Sequence, residues 1–209
     1  MRRRALATAG ILGVCAGAPA VVQARTATVG SSLKAEATVS RAKPVDSAYW
    51  PAKRAGGPRI GVPFRGQATA VRLKGGIVAT PGKTPFDLLH FQVLRKVGAK
   101  WLVVSTSEDF TIPVLGDPSA IHAYSPGALC VRKGDRIALS NAGGFGDGYS
   151  DGVPFKTFAK VKGAATNAFT GAGGNMDGDR MRPRRLRGVE LLVQTTVVGG
   201  SGARPFCRQ

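Results

Sequence analysis

The chain has 209 residues, 43% of them hydrophobic and 20% charged, which is enough apolar content for one packed domain and too much for global disorder. Its 29 glycines and 13 prolines favour short strands and turns, and disfavour a helical bundle or coiled coil. Lys and Arg total 30 against 12 acids, a formal net charge of +18, which directs attention to anionic partners.

Residues 1–24 read as a secretory signal peptide. Arg2, Arg3 and Arg4 form a basic start, Ala5 to Val22 carries no charge, and Val22-Gln23-Ala24 places small residues where a signal peptidase reads. Cleavage after Ala24 competes with retention as an anchor, against which stand the Ala/Gly richness, Pro19 and the lack of a basic cluster behind the stretch. Lipoprotein processing at Cys15 is a third route, poorly served by Val14 in front of the cysteine. After cleavage Cys130 and Cys207 remain, and in an oxidising compartment an isolated pair is most simply a disulfide. Neither sits in a nucleophile motif.

Residues 25–58 show no sustained period and are expected to form an irregular N-terminal arm, with Tyr49-Trp50-Pro51 packing on a domain edge. The domain proper is expected over 59–209. Ala68 to Lys74 alternates, with Val71 and Leu73 opposite in parity to Arg72 and Lys74, as a half-buried strand requires. Leu88 to Arg95 and Trp101 to Thr106 are apolar on both parities, so they belong inside a sheet, joined as a hairpin by residues 96–100. Thr111 to Leu115, with Pro113, is a candidate edge strand. Ala128 to Val131 and Arg136 to Leu139 flank the turn-forming Arg132-Lys133-Gly134-Asp135. Asn141 to Gly152 and Gly163 to Arg187 read as long loops, long enough that a strand between Val153 and Val161 is suspected. Gly188 to Val198 closes the domain with a β run. These elements together predict an all-β fold: an antiparallel β-sandwich, jelly-roll-like, in a single domain with Gly-rich loops.

Three segments carry a family resemblance over roughly residues 65 to 198: Phe91-Gln92-Val93-Leu94-Arg95 with Trp101-Leu102-Val103-Val104-Ser105-Thr106-Ser107, the turn and strand from Cys130 to Leu139 in the pattern V-x-x-G-D-x-I-x-L, and Glu190-Leu191-Leu192-Val193-Gln194. In these the chain resembles secreted β-sandwich proteins of soil actinobacteria. The resemblance implies a sandwich and export, and carries no activity and no site residues.

Chemistry is sparse. His90 lies in an apolar strand and reads as a satisfied sheet residue, while His122, near Asp117 and Ser119, sits in a loop. Two distant histidines make no zinc site, and no catalytic or metal residues are assigned. Asp147, Asp151, Asn175, Asp177 and Asp179 offer oxygens for calcium, but Arg180 and Arg182 oppose a cation and Asx-rich turns explain them better. The strongest signal is the run from Arg180 to Arg187, in which Arg180, Arg182, Arg184, Arg185 and Arg187 are candidate anion-binding residues because guanidinium grips phosphate and carboxylate bidentately. Lys156, Lys160, Lys162, Arg132 and Lys133 are candidates to extend that patch.

The sequence thus leads to a secreted or envelope-associated, non-catalytic β-sandwich module. It would need no cofactor and would contact an anionic surface polymer or glycan through basic loops. The alternative is an extracellular envelope hydrolase built from loop carboxylates and His122. No nucleic-acid-binding motif is present, no membrane span is expected once the signal is removed, and oligomeric state is left open.

Overall fold

The computed structural model describes residues 23–56, 59–79, 81–82, 86–143, 152–171, 173 and 175–208. The signal segment up to Val22, Cys15 within it, and Asp147, Tyr149 and Asp151 therefore lie outside the described residues. The strands in chain order are β1 (Arg25–Gly30), β2 (Val39–Lys43), β3 (Ser47–Lys53), β4 (Gly66–Lys74), β5 (Gly76–Ile77), β6 (Leu88–Val97), β7 (Lys100–Thr106) and β8 (Phe110–Thr111). They continue with β9 (Ile121–Tyr124), β10 (Cys130–Val131), β11 (Arg136–Gly143), β12 (Val153–Thr170), β13 (Arg180–Met181), β14 (Arg184–Leu191) and β15 (Val193–Gly199). A 3-10 turn at Gly200–Gly202 and a short α-helix, α1 (Pro205–Arg208), end the described chain.

The fold is an all-β sandwich. One sheet runs β1-β15-β4-β10, with β9 beside β10 on the same flank of β4. The other runs β13-β7-β6-β11-β3-β12-β14, with β8 on β6 and with β2 and β5 on the first half of β12. All strand-to-strand pairings are antiparallel.

The period-two rule explains why several central strands are apolar on both parities. Along β6, Leu89, Phe91 and Val93 face the opposing sheet and pack with Leu73, Tyr124, Val193 and Val197 in the main core. The alternate residue Leu94 joins Ala48, Trp50, Trp101, Val103, Ala138 and Met181 in a second core on the far face. The two indoles there meet edge to face, with ring centroids 5.8 Å apart.

What covers that far face is the sheet itself. β13 and β14 stand at opposite ends of the strand order, yet only Arg182 and Pro183 separate them in sequence. Three residue steps reach at most about 11 Å. Six strand spacings of about 4.8 Å would hold the edges of a flat sheet roughly 29 Å apart. The larger sheet must curl until its edges approach, enclosing the Trp50–Trp101 core like a partly closed barrel.

Several expectations change. Residues 25–58 are not an irregular arm: they supply β1, β2 and β3, so the domain starts near residue 25 rather than 59. Tyr49 and Trp50 are not edge decoration, because β3 lies between β11 and β12 and both side chains are buried. Pro51 fits this interior strand because it sits at a register shift against β12, where a ladder N–H is not required. The β6–β7 turn is shorter than expected, only Gly98 and Ala99, with Gly98 at φ +60° as a tight reversal requires. The supposed loop from Gly163 to Arg187 is mostly strand, formed by the second half of β12 with β13 and β14. Lys74 departs from its parity and is buried, its Nζ donating to Leu33 O at 3.1 Å.

Cys130 and Cys207 form a disulfide, fastening α1 to β10. Nearby, Arg95 donates from Nε and Nη2 to both oxygens of Asp135, at 2.9 and 2.8 Å, and the Arg132 N–H adds a third bond at 2.8 Å. This buried carboxylate fixes the turn by which the chain passes from β10 in one sheet to β11 in the other.

Candidate functional site

A curled sheet has two mouths, and here they carry opposite charge. One end is formed where β6 turns into β7, where β11 begins and where β3 ends. Its cleft, about 400 Å³, is lined by Lys96, Trp101, Arg136, Asn167, Pro183 and Arg185 among others. That residues of both β7 and β14 line one cleft agrees with the closing of the sheet. Arg136 lies over the Trp101 ring, Cζ 5.7 Å from its centroid, and its Nη1 donates to Gly134 O at 2.8 Å. Burial pulls its pKa down while Asp135 opposes the shift, and guanidinium stays charged across the neutral range. Lys96 and Arg185 are exposed.

Of the five arginines singled out by the sequence, the structure brings Arg185 into this cleft; Arg180, Arg182, Arg184 and Arg187 are exposed on or between β13 and β14 beside it. Among the described residues none of the five is in an ion pair, so their charge is available to a ligand. Lys156, Lys160, Lys162 and Lys133 do not line it, and Arg132 belongs to a separate pocket with Arg65 and Arg95 near the disulfide. The residues missing from the sequence reading are Lys96, Trp101 and Arg136, which come from other strands and meet Arg185 only through the curl.

At the opposite mouth, a cavity of about 560 Å³ is lined by Asp46, His90, Gln92, Thr106, Asp109 and Asp177, with Ser107, Asn175 and Met176 also on its wall. His90 Nδ1 and Asp109 Oδ1 are 3.4 Å apart. Burial lowers the imidazole pKa, opposed by Asp109, Asp46 and Asp177, all three close enough to act on it. His90 is therefore not the satisfied sheet residue expected: its Nε2 is buried without a hydrogen-bond partner.

Among the described residues the hydrolytic alternative finds no assembly around His122. Asp117 Oδ1 accepts the Ser119 N–H at 2.7 Å inside its own turn, and His122 lies on β9 opposite Leu73, with no hydrogen bond joining it to either. Ser107, although close to His90, gives its hydroxyl proton to Glu108 O and accepts the Phe91 N–H. The segment Gly148-Tyr149-Ser150-Asp151-Gly152 has the G-x-S-x-G spacing of a nucleophile elbow. Its serine lies outside the described residues, and it leads into strand β12, whereas an elbow turns from strand to helix. Among the described residues, the suggested calcium donors are each engaged separately. Asn175 Nδ2 bonds Ser140 Oγ, Asp177 Oδ1 accepts from Thr106, and Asp179 Oδ2 accepts the Met176 N–H. Tyr49, Trp50 and Tyr124 are too buried to stack on a ligand. Among the described residues no helix is long and apolar enough to cross a membrane.

No known protein-family model, no curated protein and no solved structure matches the chain.

Proposed function

We propose that this protein is an exported, non-catalytic binding module whose basic mouth holds a carboxylate- or phosphate-bearing surface glycan. The observation that carries this reading is the gathering of Lys96, Arg136 and Arg185 around one cleft beside Trp101, from strands distant in sequence. An ammonium and two guanidinium groups supply hydrogen-bond donors and no acceptors, which suits anionic oxygens. The buried Trp101 indole carries Arg136 on its ring and so holds that guanidinium at the cleft wall. The remaining exposed arginines of β13 and β14 extend the positive surface so that a polymer, rather than a single anion, is the natural ligand. Export rests on the leader-like N-terminus and agrees with the disulfide.

The test is retention on immobilised polyuronate, a neutral glucan and duplex DNA across a salt series. Lys96→Ala/Arg185→Ala should weaken polyuronate binding about tenfold at 0.15 M salt, while Lys160→Ala/Lys162→Ala, which removes equal charge elsewhere, should change it less than about twofold. Equal losses from the two double variants would mean net charge alone, and would sink the cleft as a site.

A further inference from the structure

The acidic mouth is a chemical opposite of the basic one, and its hydrogen-bonding inventory is lopsided. Each donor-bearing side chain on its wall already makes at least one hydrogen bond. Thr106 Oγ1 donates to Asp177 Oδ1 at 2.7 Å, and Ser107 Oγ to Glu108 O at 2.8 Å. Gln92 Nε2 donates to Asn175 O and to Thr106 Oγ1, and Asn175 Nδ2 to Ser140 Oγ. The acceptors are in surplus. Gln92 is fully buried, lines the cavity, and keeps its Oε1 without any partner. A buried carbonyl oxygen left in this state costs about 1–3 kcal/mol, which a donor arriving from the cavity would recover. His90 supplies a second acceptor. Asp109 can only accept, so the proton between them sits on Nδ1, and the buried Nε2 presents its lone pair. Asp109, Asp177 and Asp46 each use one carboxylate oxygen, on His90, Thr106 and the Gly173 N–H respectively, and hold the other in reserve.

We infer that this mouth is a second ligand site, specific for an organic cation whose polar atoms are all N–H donors, a primary ammonium or guanidinium head on an apolar stem. Three carboxylates supply the charge, Gln92 Oε1 and His90 Nε2 supply neutral acceptors, and Met176 and Ala142 give the stem an apolar wall. A hydroxylic ligand would bring acceptors to a wall whose donor-bearing side chains are already engaged with one another and with neighbouring oxygens. A metal ion is not the better fit, because among the described residues no three His, Cys, Asp or Glu side chains form a group that could hold one. This inference does not depend on the basic cleft, and either can fail alone.

The experiment is a chemical-shift titration of the full mature chain, following the His90 imidazole and Gln92 side-chain amide. The probes are 1,5-diaminopentane, tetramethylammonium (charge without donors) and 1,5-pentanediol (donors without charge). The diamine should move both groups saturably and bind at least tenfold more tightly than either comparison probe. Asp177→Asn, an exposed and isosteric change, should weaken it about tenfold, and Asp109→Asn should do the same if that variant keeps the parental melting temperature. Equal binding of tetramethylammonium would reduce the site to charge alone. An unchanged affinity in Asp177→Asn, or no diamine-specific shift at His90 and Gln92, would overturn the proposal.

Discussion

Removing the Cys130–Cys207 bridge tests how the tail is held. The bond spans a sequence separation of 77, and the closed loop contains β11 to β15, that is, strands of both sheets. The chain-entropy argument puts the constraint on the unfolded chain at about 4.5 kcal/mol for a loop of this size. Native contacts of the tail add little: Arg204 N–H donates to Gln67 Oε1 at 3.2 Å, and the Arg208 side chain bonds only within its own turn, to Ala203 O and Ser201 O. Cys130→Ser/Cys207→Ser should therefore lose about 4 kcal/mol, roughly 8–16 °C in Tm for a domain of this size. In urea its m-value should rise, because the unfolded chain is no longer cross-linked and exposes more surface. Truncation after Ala203 in the bridge-free background should then cost less than about 1 kcal/mol more. A Tm drop under about 2 °C with an unchanged m-value would refute the entropic reasoning, and a large further loss on truncation would show that docking of α1 carries the stability instead.

Asp135→Ala removes a buried carboxylate that takes two bonds from Arg95 and one from the Arg132 N–H, and should cost about 3 kcal/mol by urea unfolding; a loss below about 1 kcal/mol would mean the turn does not depend on it. Tyr124 Oη is buried without a partner, and burial pushes the phenol up to about 12, so Tyr124→Phe should be neutral or stabilising by about 1 kcal/mol at pH 7. Because the folded state favours the neutral phenol, parental stability should fall as pH rises above about 10 and on through 12, and the Phe variant should lack that component. Burial lowers the His90 pKa, so its neutral form is favoured on folding; stability is unaffected above about pH 6.5 and declines as pH falls below it, a slope that His90→Gln should remove in denaturant melts between pH 7.5 and 5. A parental slope that survives in His90→Gln would place the titration elsewhere.

The strands that the sequence announces are those with an uninterrupted β-prone run bounded by turn residues: β4, β6, β7, the start of β11, and β15. β3 escaped because Ser47-Ala48-Tyr49-Trp50 is buried on both faces, with small residues against the second core, and because Pro51 argues against an interior strand unless the register shift is known. The first half of β12 was suspected, and its second half escaped because its pairing with β14 jumps from Lys160–Val189 to Ala165–Arg187, so Gly163 at φ +85° bulges out and breaks the period. The arginine run was visible as charge but not as structure. It forms a two-residue strand at one sheet edge and an eight-residue strand at the other, where exposed cations also discourage edge-to-edge pairing. The cleft residues Lys96, Trp101 and Arg136 carry no local pattern that separates them from an ordinary turn, strand and strand start. Only the distance constraint between β13 and β14 brings them to Arg185.

The same constraint decides how the two mouths relate. Trp50 is fully buried and Trp101 is 9% exposed, so the space between the mouths is packed with indole and the curled sheet is not a channel. A ligand at one end cannot thread to the other, and any dependence between the ends must pass through charge. At long range the chain repels cations, since its formal net charge is +18. At physiological salt that repulsion is screened beyond about 8 Å, whereas carboxylates in contact with a ligand are screened far less. The cation site proposed above would therefore act only on what has already entered it, and its selectivity would have to come from the acceptors at short range, Gln92 Oε1 and His90 Nε2. For the anionic polymer proposed above the order would be reversed: the field of the whole molecule would draw it towards the basic mouth, and Arg136 held over Trp101 and Arg185 across the cleft would distinguish a seated polymer from a passing one.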